Sequence, residues 1–153
     1  MKAQLKKTAM AICASVLLST GVAMADGWPV SVSGTWTVLG NHHLGVAPNG
    51  LNITQFPGLA GSQCKPIRGT IYSVGGVGGD NIEGFYCPGS GRIAFMRYNG
   101  NSTDPKQHWM GNLSQLINGQ PLYMGGTFTA TDHNNVSGTT GGSLGEYNFY
   151  ARK

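Results

Sequence analysis

CKPIRGTIYSVGGVGGDNIEGFYC, residues 64–87, has a cysteine at each end and two alternating apolar–polar runs around a glycine-rich centre. PIRGTIYS (66–73) and DNIEGFYC (80–87) read as strands, because a period of two presents one apolar face. If they pair as a hairpin with the cysteines opposed, the register follows by counting inward. Arg68 then faces Glu83, Thr70 faces Asn81 and Pro66 faces Phe85 on the cysteine side. Ile67 faces Gly84 and Gly69 faces Ile82 on the other side. Opposite charges directly across a strand pair stabilise it. The Arg68–Glu83 side is therefore the outer face, and Ile67, Ile71 and Ile82 point into a core.

The third cysteine, Cys13, lies in a segment that reads as a secretory signal peptide over residues 1–25. Lys2, Lys6 and Lys7 form its basic start, residues 8–22 its apolar centre, and Ala23-Met24-Ala25 a small-residue cleavage site. Its apolar run is too short for a spanning helix, and no other segment of the chain is long and apolar enough to cross a membrane. Cleavage leaves residues 26–153 as one domain with Cys64 and Cys87 as its cysteines. An even count in an exported chain reads as a disulfide, here with one intrachain pairing. Closing that loop contributes roughly 3 kcal/mol by the chain-entropy estimate. The expected location is periplasmic or secreted.

Further stretches of the same kind flank the hairpin. They are VSVSGTWTV (30–38), GLNITQF (50–56), RIAFMRY (92–98), KQHWMGNLS (106–114), PLYMGGTFTAT (121–131) and GEYNFYARK (145–153). Eight short strands joined by turn-rich segments predict an all-β fold. A closed, eight-stranded antiparallel up-and-down barrel accounts for three features together. The connections are short or rich in glycine and asparagine. The first and last strands can pair and remove both exposed edges. Gly34, Gly69, Gly84, Gly111, Gly125 and Gly126 fall inside strands, where glycine marks a sharp bend or a close backbone approach. A Greek-key sandwich is the competing architecture.

GTW at 34–36, GTIYS at 69–73, GFY at 84–86, IAFMRYNG at 93–100, HWMG at 108–111, GGTFTAT at 125–131 and GEYNF at 145–149 follow one another in order. Together they resemble the strand succession of the avidin/streptavidin family over nearly the whole mature chain, although a G-x-W opening strand also occurs in lipocalins. The resemblance implies a ligand pocket at one mouth of the barrel and assembly into dimers or tetramers. It places Trp109 at a pocket tryptophan, Ser73 at a serine that bonds biotin, Tyr98 at the aromatic closing the fifth strand and Phe128 at a pocket tryptophan position. Tyr147 or Asn148 stands where the family has its last-strand aspartate, and Thr37-Val38 where it has an asparagine. Each buried polar partner left unmatched costs about 1–3 kcal/mol, so these departures weaken biotin binding.

Other signals reduce to bland readings. The mature chain carries seven basic and six acidic residues, a net charge of +1, with no basic cluster. Nucleic-acid binding is therefore not expected. Gly141-Gly142-Ser143-Leu144-Gly145 matches G-x-S-x-G, but a strand rather than a helix follows the serine. His42-His43, His108 and His133 lack metal-ligand spacing. The few carboxylates do not pair as a hydrolase needs. No cofactor and no enzymatic activity are expected. Trp36 is expected to pack at the closed end of the barrel, with Arg152 lying over its ring as a cation–π partner.

The leading functional reading is an exported, non-enzymatic barrel that binds a small molecule at its mouth, with Trp109, Phe128, Ser73, Tyr98 and Tyr147 as wall residues. An alternative is a periplasmic or secreted inhibitor or interaction protein acting on a macromolecular target. In that reading the arm Asp26-Gly27-Trp28-Pro29 is the plug and Trp28 its anchor. An exposed Trp28 favours the alternative, and one packed on the barrel counts against it.

Overall fold

The computed structural model describes residues 27–40, 48–73, 79–118, 120–130 and 145–153. The leader, Asp26, the His42-His43 pair, His133 and Ser143 lie outside these residues. Eight strands follow in order: β1 (Gly34–Gly40), β2 (Pro48–Gln55), β3 (Lys65–Ser73), β4 (Asp80–Cys87), β5 (Arg92–Tyr98), β6 (Pro105–Leu113), β7 (Tyr123–Ala130) and β8 (Gly145–Arg152). Each pairs antiparallel with the next, and β1 pairs with β8, closing the barrel. Closure leaves no sheet edge to template aggregation.

The β3–β4 ladder pairs Pro66 with Phe85, Ile67 with Gly84, Arg68 with Glu83, Gly69 with Ile82 and Thr70 with Asn81. This is the register obtained by counting from the cysteines, and Cys64 and Cys87 are joined by a disulfide. Ile67, Ile71 and Ile82 are buried in the core, whereas the Arg68–Glu83 ion pair lies on the outer face with both side chains mostly exposed. Exposed pairs of this kind contribute little, at most about 1 kcal/mol.

Gly69, Gly84, Gly111 and Gly126 share the inward parity of the core residues. An added Cβ would reach the backbone of the adjoining strand: Asn52 O at Gly69, Ala94 O at Gly84, Gly125 O at Gly111 and Met110 O at Gly126. Neighbouring strands approach this closely because no side chain separates them, which is the bend a small barrel requires.

The first strand begins at Gly34 rather than Val30, because residues 27–33 form an arm across the end of the barrel where β1 starts. Polar anchors hold it. Gln55 accepts from Val32 N at 3.1 Å and donates to Val30 O at 3.1 Å, and Tyr86 Oη donates to Pro29 O at 2.6 Å. The Leu116 amide donates to Gly27 O. Trp28 packs against the core cluster and over Gly91, whose φ of +67° suits glycine and whose missing side chain makes room for the indole.

Trp36 is fully buried beneath the arm, with Nε1 donating to Val32 O at 3.0 Å. The cation over its ring is Lys153, at 5.9 Å, and not Arg152. Strand alternation explains why: Phe149 and Ala151 point inward, so Arg152 points out and the next residue returns to the axis. Among the described residues no helix is long and apolar enough to cross a membrane.

Burial of Tyr86 raises its phenol to about 12. A folded value above the ordinary one favours the neutral phenol, so this contribution is full below about pH 10 and is lost as pH rises towards 12. Tyr86→Phe is expected to lower stability by about 1–2 kcal/mol at neutral pH, since Pro29 O loses its buried donor. The same variant should also show a smaller alkaline fall in melting temperature. Thermal melts of both proteins across pH 8–12 check the pair of effects.

Candidate functional site

One row of the ladder crosses β5 to β8 as Phe95, Trp109, Phe128 and Tyr147. All four have inward parity, so their rings meet inside the barrel. Phe95 and Trp109 stack with centroids 5.5 Å apart, Trp109 and Phe128 at 4.2 Å, and Phe128 and Tyr147 at 5.1 Å. Phe149 meets Trp109 edge-on at 4.7 Å. Such cross-strand aromatic pairs each add roughly 0.5–1.5 kcal/mol beyond their buried area. Trp109 is 0% and Phe128 2% exposed, so both form a filled floor, while Tyr147 is half-buried at the end of the stack.

The next inward row lies towards the end opposite the arm and runs Ile82, Arg97, Gln107, Ala130 and Gly145. Its chemistry changes from aromatic to polar and small. Gln107 joins the two rows: its Oε1 accepts from Trp109 Nε1 and from an Arg97 guanidinium nitrogen, both at 3.0 Å. Asp80, which opens β4 opposite Ile71, completes the network. Its Oδ2 accepts from Arg97 Nε at 2.7 Å and from Lys106 Nζ at 2.7 Å, and Arg97 Nη2 also reaches it. Its Oδ1 accepts from the Gly100 amide at 2.9 Å.

Lys106 reaches this cluster through an irregularity. Arg97 pairs with Gln107 but Tyr98 pairs with Pro105, so Lys106 is an extra residue in β6. A bulge of this kind re-aims a side chain that regular alternation would send outward. The three charged side chains are only 13–16% exposed. Burial raises the Asp80 carboxyl, but the Lys106 and Gly100 hydrogen bonds and the two cationic charges outweigh it and hold it below its ordinary value. Burial pushes the Arg97 guanidinium down from its usual value, and Asp80 partly restores it.

Trp109, Phe128 and Tyr147 thus share one stack. Tyr98 is half-buried at the end of β5, one residue out of phase with inward Arg97, and Ser73 ends β3 opposite Pro48 at the same end. The side chain of Ser73 lies outside the described part. The arm is seated rather than free: Trp28 is half-buried against the core, which counts against its acting as a loose plug. Asp80, Arg97, Lys106 and Gln107 form no motif in the sequence, and only the fold brings them together. Among the described residues no three His, Cys, Asp or Glu side chains gather as metal ligands.

The chain matches no known protein family, no curated protein and no solved structure.

Proposed function

We propose that this is an exported, non-enzymatic barrel protein that binds a small molecule at the end opposite the arm, in the manner of avidin-like barrels. The observation that carries the reading is the Asp80–Arg97–Lys106–Gln107 network set above an aromatic floor. Small eight-stranded barrels hold either their own side chains or one small ligand. Here the arm end is closed by Trp28, Val32 and Trp36, while the far end places hydrogen-bonding groups over rigid rings. A few fixed polar groups on an apolar base are the usual make-up of a ligand site. Ala130 and Gly145 carry the least side-chain bulk of the polar row. Export rests on the leader motif and on the disulfide, which persists in oxidising compartments.

Differential scanning fluorimetry against biotin and a panel of small metabolites tests the reading. A compound that binds only the folded barrel raises the melting temperature with concentration, stabilising by about 2.7 kcal/mol at a hundred times its dissociation constant. At least one compound should do so. A flat response across the panel and up to saturating concentrations would sink the proposal.

A further inference from the structure

We infer that the ligand is a small organic anion, whose carboxylate docks on Lys106 and Arg97 while its apolar body lies towards Tyr147. This rests on the binding reading above and specifies its chemistry. Two cations converge on one carboxylate, in a place where all three side chains are mostly withdrawn from water. Asp80 is already engaged through both oxygens: one takes Arg97 and Lys106, and the other takes the Gly100 amide. Among the described residues no second carboxylate lies within ion-pair distance of either cation.

A strap joining β4, β5 and β6 would need only Arg97, which binds Asp80 through two nitrogens and Gln107 through a third. Lys106 is superfluous to such a strap, yet β6 carries a bulge that brings it in. An ammonium has three donors, and Lys106 uses one of them on Asp80. Among the described residues the remaining unit of positive charge is little solvated and has no counter-charge. A bound anion supplies what is missing, since charge-assisted hydrogen bonds to carboxylates are the strong ones. Gln107, shared between Arg97 and Trp109, makes the indole a reporter of that event.

The test is isothermal titration calorimetry of the mature, disulfide-bonded protein with phenylacetate, with phenylacetamide and with inorganic phosphate. Phenylacetate and its amide share a ring and differ in charge. The acid should bind at least about tenfold more tightly than the amide. Lys106→Gln keeps the Arg97–Asp80 pair and so should remain folded, with the preference reduced to about twofold or less. Lys106→Arg should retain it. Equal binding of acid and amide, or a preference that survives Lys106→Gln, overturns the anion site and leaves the barrel-binding reading standing. Phosphate binding as tightly as phenylacetate overturns the organic part of the inference. No heat with any of the three overturns the anion site, while the wider thermal panel decides the binding reading separately.

Discussion

Asp80→Ala is expected to destabilise the barrel by about 2–4 kcal/mol, approaching the cost of removing one member of a buried ion pair, because this network is part-buried. The cost lies in what remains. Arg97 and Lys106, each about 15% exposed, would face each other with no carboxylate between them. The Gly100 amide would lose its acceptor as well. Urea unfolding of the two proteins at pH 7 measures the difference. Glu83→Gln is the internal control: it breaks the exposed Arg68 pair and should cost at most about 1 kcal/mol. The acid limb gives a second reading. Because the Asp80 carboxyl is held below its ordinary value, its contribution is full above the unfolded value of about 4 and is lost as pH falls through the lower folded value. Wild-type stability should therefore decline below about pH 4 more steeply than that of Asp80→Ala. Similar costs for Asp80→Ala and Glu83→Gln would show that water screens the inner network as it screens the outer pair.

The hairpin from Cys64 to Cys87 was legible because two constraints coincide there. A disulfide fixes which residues are opposite, and the Arg68–Glu83 match fixes which face is outward. The barrel followed from strand-internal glycines and from terminal strands free to pair. Residues 30–33 alternate as VSVS, the pattern of a strand, but the side chain of Gln55 captures Val32 and the ladder never reaches it. Lys153 rather than Arg152 covers Trp36, because a shift of one residue reverses the face of a strand. The polar network was half visible. Asp80 shares the parity of Ile82, and Arg97 that of Ile93 and Phe95, so two charges could have been placed inside by counting. Lys106 could not. Alternation sends it outward with His108 and Met110, and only the bulge between paired strands turns it in. Irregularities of that kind depend on two strands at once and leave no mark on either sequence alone.

Gly126→Ala is expected to destabilise the protein by about 3 kcal/mol or more, while Gly125→Ala next to it is tolerated. The two residues differ by one step along β7 and therefore by the face they present. A Cβ on Gly126 would overlap the Met110 carbonyl oxygen and lie against the Gly111 Cα, both backbone atoms of β6 that cannot rotate away. Accommodating it means separating β6 from β7 beside Trp109 and Phe128, the pair at the centre of the aromatic stack. Overpacking a filled interior ordinarily costs about 1–3 kcal/mol, and more when backbone rather than side chain must move. A Cβ on Gly125 meets only Phe149 O at 3.7 Å, an ordinary contact on the outer face. There alanine should be neutral or stabilise by up to about 1 kcal/mol, through the lower entropy of its unfolded chain. Thermal melts of the two variants, followed by near-ultraviolet circular dichroism, separate the effects. Gly126→Ala should also weaken the tryptophan signal, because the Trp109–Phe128 stack cannot survive intact when the strands beneath it part. If both variants melted with the wild type, the close strand approach that lets this chain close on itself would be refuted.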